Sequence, residues 1–478
     1  MMFGAELIGA FREFKSAFDP DCKMNPGVIV DAEPLDSHLR LAELKPRALN
    51  THFDFSRDGG LAGAALKCVG IGKCRKTDAG TMCPSYMATR EEMHSTRGRA
   101  RLLFEALSGG VLANGFADPA LAEALDLCLS CKGCKNECPA TVDMATYKAE
   151  FLAHYHKRHR RPLAGHLFGR IHDLARIAQI APGLANALAH NSLLAAPFKR
   201  AAGIHRERAL PRFAPRTFRA WFNARGATAA SRREVILFPD TFTNFFEPAV
   251  AIAAVQVLER AGFRVTIPAR DLCCGRPFYD QGMLPRAKRR LNEILEVLGP
   301  QVQRGGVVVG LEPGCILTFR DELQGLFPHD SRARALGRSS LMLDEFLAQA
   351  AAPEFAPAAL AGKAILHGHC HQKAIAGIEN EISILRRIDG FGLEVLDAGC
   401  CGMAGAFGYE ARHFGLSRAI AERALIPAID AAGPGTIVIA DGFSCRAQIR
   451  ALRPGARPMH LAEVLNSGTC SPGEVRVR

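Results

Sequence analysis

The chain has 478 residues, of which 48% are hydrophobic and 23% are charged, and these proportions are typical of a soluble globular protein with about three domains. It contains no uninterrupted run of 18 or more apolar residues and no basic N-terminal segment followed by a long apolar one, so we expect neither a membrane-spanning helix nor a secretory signal. Sixteen cysteines are many for such a protein, and their clustering indicates metal binding in a reducing compartment, which predicts a cytoplasmic location.

Residues 1–60 contain too little apolar sequence to form a domain of their own. Proline and glycine punctuate a short helix that leads into Phe18-Asp19-Pro20 and an extended segment that begins Met24-Asn25-Pro26-Gly27. The two motifs resemble the C-terminal tail of FAD-linked oxidases of the vanillyl-alcohol oxidase type, although Val28 stands where that family usually has lysine. The resemblance implies that a flavin domain normally precedes this point. Turn formation explains Asp19, Pro20, Asn25 and Gly27 better than catalysis does.

The region 61–150 contains the motif C-x2-C-x2-C-x3-C-P, which is formed by Cys128, Cys131, Cys134, Cys138 and Pro139. This spacing brings three thiolates to one iron–sulfur cube and sends the fourth to a neighbouring cluster. Zinc sites usually contain separated C-x2-C pairs, and disulfide frameworks suit small secreted domains. An iron–sulfur cluster is therefore the favoured interpretation.

A second, incomplete motif lies upstream, with Cys68, Cys74 and Cys83 present but Ile71 at one ligand position. In a two-cluster ferredoxin plan the last cysteine of each motif crosses to the other cluster. That plan predicts a [4Fe-4S] site, the Cys128 group, made of Cys83, Cys128, Cys131 and Cys134. It also predicts a [3Fe-4S] centre, or a [4Fe-4S] centre with a non-cysteine fourth ligand, at the Cys68 group, made of Cys68, Cys74 and Cys138.

Alternatively, Cys68 and Cys74 are buried thiols that bind no metal. If the clusters form, we expect the charges of Lys73, Lys132 and Lys135 to favour their reduced, more anionic state. Helices are predicted over residues 91–107, ended by Gly109, and over residues 123–129, which lead into the cluster loop.

Residues 151–230 form a basic helical linker module. From Phe151 to Arg233 there are 16 Lys and Arg against two acids, Asp173 and Glu207, so the rest of the chain is close to neutral. A solvated or protein-docking face is one interpretation, and an interfacial segment that contacts anionic lipid is another. Nucleic-acid binding is not expected, because no reader motif accompanies the charge.

Residues 231–352 and 360–466 form an internal repeat in which apolar strands alternate with helices. The predicted strands are 235–238, 264–267 and 307–311 in the first half, and 364–367, 393–396 and 437–440 in the second. This alternation predicts a mainly parallel sheet in each half, with ligands at the strand ends. The predicted fold class is therefore α plus α/β, a helical two-cluster ferredoxin-like domain followed by a tandem repeat of α/β Cys-Cys-Gly domains.

Each half contains a Cys-Cys-Gly sequence followed by a further cysteine. Two thiolates on consecutive residues can bridge or cap an unusual cluster, and the glycine lets the backbone approach closely. The second half supplies the Cys400 group, made of Cys370, Cys400, Cys401 and Cys445. The first half supplies the Cys273 group, made of Cys273, Cys274 and Cys315.

These sequences resemble the cysteine-rich domain of the heterodisulfide reductase type, whose pattern is C…C-C-G…C-x2-C and which can hold a non-cubane [4Fe-4S] cluster. The match is partial, since Asp240 stands at the leading cysteine of the first half and Gly442 at the penultimate cysteine of the second. The resemblance implies a further cluster at the Cys400 group, while a metal role for the Cys273 group stays open. His369 and His371 flank Cys370 and are either metal or proton-handling residues or polar loop residues.

Residues 1–466 as a whole resemble the C-terminal part of bacterial FAD-linked oxidases fused to iron–sulfur modules, the D-lactate and D-2-hydroxyglutarate dehydrogenase-like proteins. They also resemble the iron–sulfur subunits of glycolate oxidase and of anaerobic glycerol-3-phosphate dehydrogenase. The resemblance implies an electron-transfer component of a 2-hydroxy acid dehydrogenase, with FAD on a partner chain or a missing N-terminal half. Electrons would pass to a quinone or cytochrome, with peripheral contact at the inner face of the cell membrane as one possibility. The alternatives are a heterodisulfide or thiol–disulfide reductase subunit and a cluster-bearing nucleic-acid or regulatory protein that uses the basic segment as its reader.

Overall fold

The structure, a computed structural model, describes residues 3–35, 37, 46–109, 111–112, 114–226, 233–350, 355 and 357–467. The chain divides into two compact units, Met1–Arg47 and Ala48–Arg478. Among its described residues, 3–35, 37 and 46–47, the first unit contains one helix, α1 (Ala5–Phe18). Asp19, which follows α1, accepts hydrogen bonds from the backbone amides of Lys23 and Met24 and from Lys15 Nζ. Asp19 is therefore a turn former, as the sequence predicts.

The start of the second unit is helical and carries the first seven predicted ligand cysteines. Its α-helices are α2 (Leu61–Leu66), α3 (Pro84–Thr89), α4 (Thr96–Ser108), α5 (Pro119–Asp126), α6 (Gly133–Glu137) and α7 (Met144–Tyr155). The prediction that a helix begins at Glu91 is wrong, because Glu92–His94 form a 3-10 turn and the Ser95 hydroxyl then caps α4 by accepting from the amide of Gly98. Likewise, α5 starts at Pro119 instead of residue 123 and ends at Asp126 instead of residue 129. An irregular loop therefore carries the cysteines from Cys128 to Cys131.

The basic segment folds into short helices joined by tight turns. These are α8 (Leu163–Gly169), α9 (Ile171–Ala178), α10 (Pro182–His190), α11 (Ser192–Ala202) and α12 (Phe218–Ala224). None of the described helices in the chain is both long enough and apolar enough to cross a membrane.

Two four-stranded sheets follow, and every strand pairing in them is parallel. The strands of the first are β1 (Arg233–Leu237), β2 (Phe263–Thr266), β3 (Val308–Gly310) and β4 (Ser340–Met342), in the order β2-β1-β3-β4. The strands of the second are β5 (Gly362–Leu366), β6 (Phe391–Val395), β7 (Ile437–Ile439) and β8 (Pro458–Met459), in the order β6-β5-β7-β8. The predicted parallel sheets are confirmed, and both have the same strand order.

Helices cover both sheets. In the first half they are α13 (Thr241–Phe245), α14 (Pro248–Arg260), α15 (Arg276–Asp280), α16 (Leu284–Gln303), α17 (Pro313–Ile316), α18 (Glu322–Leu326), α19 (Ser331–Ser339) and α20 (Leu343–Ala350). In the second half they are α21 (Cys370–Ile375), α22 (Glu379–Leu385), α23 (Phe414–Glu422), α24 (Leu425–Ala432), α25 (Phe443–Leu452) and α26 (Leu461–Ser467). One apolar core is shared by the two halves, with Val255 and Leu258 of α14 in the same cluster as Leu366 of β5 and Leu461 of α26.

Arginines of the basic segment form hydrogen bonds to the sheet regions, a structural role that the net charge of the segment does not predict. Arg208 is buried and donates to the carbonyl of Gly408 at 2.7 Å, to Gln448 Oε1 at 2.7 Å and to Ser417 Oγ at 3.0 Å. Arg219 donates to the carbonyls of two residues that follow β2, at 2.9 and 3.0 Å. These guanidinium groups fasten the segment 151–230 to the two sheet regions.

Replacing Arg208 with methionine removes three hydrogen bonds and leaves buried acceptors unpaired. We expect R208M to lower the free energy of unfolding by about 2–4 kcal/mol. The matched control is R206M, because Arg206 lies two residues away and is exposed, and its replacement should change stability by less than about 0.5 kcal/mol. Denaturant unfolding of both variants measures the difference. Equal stabilities would show that Arg208 does not hold the segment in place.

Candidate metal centres

The Cys128 group lies on two irregular turns that point its thiols into the interior. Cys83 immediately precedes α3, Cys128 and Cys131 lie on the loop between α5 and α6, and Cys134 is in the first turn of α6. Each of the four is at most 9% exposed. Cys83, Ser130 and Lys132 have φ values of 40°, 53° and 61°. Non-glycine residues seldom adopt this left-handed region, and clusters of them mark backbone that is held for a particular arrangement of side chains.

Burial and mutual proximity raise the pKa values of three thiols of this group, those of Cys83, Cys131 and Cys134. Burial raises the pKa of Cys83 to about 11, and the nearby Cys128 and Cys74 add to the effect. Burial likewise raises the pKa of Cys134, with Cys83 and Cys128 contributing, and that of Cys131, with Cys370 and Cys134 contributing. Four converging thiols in an apolar site ionise together only when a cation offsets their charge. The donor set therefore fits an iron–sulfur cluster, whose iron ions bind thiolates.

The Cys68 group lies nearer the surface. Cys74 is buried, whereas Cys68 and Cys138 are only partly so. Burial raises the pKa of Cys68, and the neighbouring Cys74 and Cys138 thiols raise it further. Ile71, at the missing ligand position, is 60% exposed. The side of this group without a fourth cysteine therefore faces solvent.

Two proximities among these cysteines are those that the crossed ferredoxin plan requires, while the division of the seven cysteines between two clusters stays a prediction. Cys138 lies with Cys68, although it belongs to the downstream motif, and Cys83 lies with Cys128 and Cys134, although it belongs to the upstream one. Cys74 and Cys83 also affect one another, so the two groups are neighbours. That these cysteines are metal ligands stays a prediction.

The cations nearest the thiols are not those expected from the sequence. Arg99 Nη1 lies 3.8 Å from Cys83 Sγ, and the Lys148 ammonium is attracted to the Cys128 thiol. Lys132 and Lys135 instead form ion pairs with acids, among them Asp321. Their charges are offset within the protein, and Arg99 and Lys148 are better placed to stabilise a more anionic cluster.

The Cys400 group occupies the carboxyl ends of the strands in the second sheet, as the parallel topology predicts. Cys370 begins the helix after β5, the Cys400–Cys401 pair follows β6, and Cys445 lies in the helix after β7. Cys400 interacts with both Cys370 and Cys401, and Cys401 interacts with Cys445. Hydrogen bonds from Cys400 and Cys445 hold the pKa of Cys401 well below its usual value.

His367 lies with this group, although the sequence analysis predicted a role for His369 and His371 and not for His367. Its ligand nitrogen lies within 4.8 Å of the Cys401 and Cys445 sulfurs, a grouping of three potential ligands found among the described residues. The ring is buried, and neither nitrogen has a nitrogen or oxygen hydrogen-bond partner in the described part of the chain. His371, in contrast, contacts the carbonyl of Ser130 at 3.0 Å. A buried imidazole that hydrogen-bonds the Cys401 thiol and lies beside a second thiol is a candidate metal ligand.

Gly442 stands where the five-cysteine pattern has its penultimate cysteine, and the structure leaves no room for a side chain there. A Cβ atom at this position would lie 2.3 Å from His369 Cδ2 and 3.3 Å from Cys445 Sγ. The imidazole of His369 therefore fills the space that a side chain at residue 442 would need. The site differs from the five-cysteine pattern in shape as well as in composition.

The Cys273 group has fewer donors. Cys274 Sγ lies 3.2 Å from Cys315 Sγ, and all three thiols are buried and unpaired by disulfides. Asp240, which stands at the leading cysteine position, accepts from the amides of Phe242 and Thr243 and from the Thr243 hydroxyl. This carboxylate is the N-cap of α13, so a metal ion at this group would have to compete for it.

The Cys128 loop lies directly against the Cys400 group. Burial first, and then the Cys370 thiol, raise the pKa of Cys131. Cys131, Cys370 and Cys400 belong to one buried apolar cluster with Leu129 and Phe407. The Cys68, Cys128 and Cys400 groups therefore form a series that runs from the surface to the interior.

Comparisons with known proteins agree with this arrangement. Residues 64–142 match the 4Fe-4S dicluster domain family and residues 241–320 match the cysteine-rich domain family that contains the Cys-Cys-Gly sequence. The chain is 30% identical to D-2-hydroxyglutarate dehydrogenase of Pseudomonas putida over 93% of its own length and 47% of that protein. It is 27% identical to one polypeptide of the anaerobic glycerol-3-phosphate dehydrogenase of Escherichia coli, over 52% of its own length and 62% of that polypeptide. It is 29% identical to lactate utilization protein A of Bacillus velezensis over 49% of its length and 99% of that protein.

The predicted resemblance to these dehydrogenases is confirmed. The chain spans about half the length of the D-2-hydroxyglutarate dehydrogenases that it matches. The 4Fe-4S dicluster match includes both the Cys68 and the Cys128 groups, and the cysteine-rich match includes the Cys273 group.

The crossed plan, in which Cys138 binds the Cys68-group centre and Cys83 binds the Cys128-group centre, predicts which centre is damaged when either cysteine is replaced by serine. C138S should alter the EPR signal of the Cys68-group centre and leave that of the Cys128-group centre largely intact, whereas C83S should do the reverse. C68S and C128S identify the two signals in dithionite-reduced protein. Loss of the Cys128-group signal first in C138S would mean that the downstream loop closes on itself.

Restoring the absent ligand tests the nuclearity of the Cys68 centre. If this centre is [3Fe-4S], I71C should add about one iron per chain and remove the EPR signal of the oxidised protein, because a fourth thiolate can hold a fourth iron. V69C is the matched control, since Val69 is on the same loop and 74% exposed but outside the ligand spacing. The absence of an EPR signal from this centre in the oxidised unsubstituted protein would instead indicate a [4Fe-4S] centre whose fourth iron already has another ligand, and a signal that persists in I71C would show that residue 71 does not reach the ligand position.

Proposed function

We propose that this chain is the iron–sulfur electron-transfer part of an FAD-dependent 2-hydroxy acid dehydrogenase of the D-lactate, D-2-hydroxyglutarate or glycolate class. The observation that carries the proposal is the series of three thiol groups, which begins at the partly exposed Cys68 and ends at the buried Cys400 group. Iron–sulfur clusters at these groups would supply one-electron carriers. The chain would contribute their spacing, their exclusion from water and the charges around them.

Each group has its own place in this proposal. The Cys128 group would hold a [4Fe-4S] cluster, and the Cys68 group a [3Fe-4S] or [4Fe-4S] cluster. The Cys400 group would hold a further cluster. The two sheets share one strand order, which supports a tandem repeat of Cys-Cys-Gly domains in which the Cys273 group has lost donors.

The flavin would lie on a partner chain or on a preceding part of the same protein. Two observations support this placement: the D-2-hydroxyglutarate dehydrogenases are about twice as long as this chain, and residues 1–60 resemble the closing tail of an FAD-linked oxidase. The partner would dock near the Cys68 group, where the apolar side chains of Val69 and Ile71 are 74% and 60% exposed. Exposed apolar side chains beside a cluster are suited to a transient interface between redox partners.

The acceptor would be a quinone or a cytochrome, and the basic segment offers a face for peripheral membrane contact. This apolar face consists of six side chains that are each at least half exposed on α9–α11 and the turn after α9, namely Ile177, Ile180, Leu184, Leu188, Leu193 and Leu194. Arg176 and Arg200 are exposed in the same helices. Apolar side chains beside cations are typical of helices that lie in the interface of an anionic bilayer.

The heterodisulfide reductase alternative is less well supported. His369 occupies the space of the cysteine missing at Gly442, so the site lacks the five-thiol arrangement. The nucleic-acid alternative also loses support, because Arg208 and Arg219 of the basic segment are engaged in hydrogen bonds within the protein.

Reconstitution with its flavoprotein tests the proposal. Anaerobic D-2-hydroxyglutarate, D-lactate or glycolate should bleach the visible absorbance of the cluster-loaded chain only when the co-purifying flavoprotein is present. The control is the C128S chain with the same flavoprotein, in which the bleaching should fall sharply. Fewer than about four irons per chain, or clusters that the reduced flavoprotein leaves oxidised, would overturn the proposal.

A further inference from the structure

A cavity of about 320 Å³ lies where the basic segment meets both sheet regions. Its walls are mostly apolar, and those contributed by the basic segment include Leu167, Phe168, Leu174, Ala189, Leu210 and Phe213. Small-molecule sites are typically cavities of about 300–1,000 Å³ with apolar walls and a few polar groups. The volume is at the lower end of this range and, because Cys370, Cys400 and Cys401 line the cavity, it includes the space of the cluster proposed for the Cys400 group. The cavity therefore admits a small organic ring beside that cluster and excludes a folded protein partner.

The inner end of the cavity is lined by thiols from both Cys-Cys-Gly halves of the chain. Cys315 of the first half and Cys370, Cys400 and Cys401 of the second line it. A molecule in this cavity would be next to the last group of the series described above, without passing through the ferredoxin-like region.

The same end offers hydrogen-bond donors. Ser444 lines the cavity, and because its hydroxyl oxygen accepts from the amide of Gly405 at 3.3 Å, its hydrogen is left to donate. His369 also lines it, and its Nδ1 accepts from the amide of His371 at 3.2 Å. In a neutral imidazole this places the hydrogen on Nε2, which makes that nitrogen a second donor. Both groups are suited to a ligand carbonyl oxygen.

The outer end of the cavity adjoins the apolar face. Phe198 lines the cavity and is 44% exposed, and it lies on α11 with Leu193 and Leu194 of that face. Phe198 therefore presents apolar surface both to the cavity and to solvent. A molecule that partitions into a bilayer could enter by this route. The cation on the cavity lining, Arg276, is already paired with Asp280 and Glu322, so the carboxylate of a 2-hydroxy acid would lose its hydration without gaining a free partner.

We propose that this cavity binds the ring of a lipid-soluble quinone, with a ring carbonyl toward Ser444 and His369 and the tail toward the apolar face. The inference rests on the proposed function, since it names the acceptor of that electron-transfer chain. A planar ring with carbonyl oxygens and an apolar tail matches the walls, the donors and the apolar entrance together.

Photoaffinity labelling tests the site without measuring turnover. The cluster-loaded chain is irradiated with a short-tailed azidoquinone, and the modified peptides are mapped by mass spectrometry. We expect label in residues 163–213 or 404–409 that decylubiquinone displaces and that decanol, which has the tail without the ring, does not. Displacement by decanol as well would mean a site for acyl chains and would overturn the quinone assignment.

A matched pair of variants locates the site. A189W places a large side chain in the cavity and should lower labelling by about tenfold. A187W places the same side chain on an exposed position of the same helix and should leave labelling unchanged. Equal iron and sulfide contents in both variants confirm that the protein is intact, and labelling that A189W does not reduce would overturn the proposal.

The outcome separates this inference from the proposed function. A chain that carries clusters reducible by the flavoprotein but shows no saturable quinone labelling would contradict the cavity assignment alone. A chain without clusters that still binds quinone in the cavity would contradict the proposed function alone.

Discussion

The buried ammonium group of Lys132 is the constraint on which the arrangement of the thiol groups depends. It is surrounded by three carboxylates, with Asp143 Oδ2 at 3.1 Å, Asp321 Oδ2 at 2.9 Å and Glu322 Oε1 at 3.3 Å. A buried charge is costly unless it is paired, and removing a partner leaves the remaining charge uncompensated. The cysteine loop therefore cannot shift away from the first sheet region without stranding a charge. Arg276 strengthens this connection, because it binds Glu322 and donates to the carbonyl of Ser130 at 3.1 Å.

This connection explains how one chain keeps several redox-capable groups at constant separations. The Cys128 loop contacts the first sheet region through Lys132 and the second through Cys370 and His371. Both sheet regions share a single apolar core, so neither can rotate independently of the other. Electron transfer requires little motion of the protein, and rigid scaffolding with dry, closely packed thiols meets that requirement better than hinged domains would.

The parts predicted from sequence are those governed by local spacing. Alternation of strands and helices predicted six of the eight strands in the described part of the chain, while the exchange of Cys83 and Cys138 between two clusters stays a prediction from spacing. The strands β4 and β8 were missed because Ser340–Met342 and Pro458–Met459 are short and lack the run of β-branched residues that marks the equally short β3 and β7. The acids around Lys132 lie up to 190 residues away in sequence, so the expectation that its charge acts on the clusters could not anticipate its pairing with Asp321. His367 was overlooked because His369 and His371 are adjacent to Cys370, whereas the strand geometry points His367 at the thiols.

The hydrogen bonds of Arg208 also set an order of events during synthesis. Arg208 binds Gln448, which is 240 residues further along the chain. At translation rates of 5–20 residues per second, Gln448 is synthesised on the order of 10 to 50 seconds after Arg208, so the basic segment lacks this hydrogen bond during that time. The Cys131 thiol waits similarly for Cys370. During that interval iron and sulfide have access to the ferredoxin-like cysteines from the side that later packs against Cys370 and Cys400. The last hundred residues cover that side once they are synthesised.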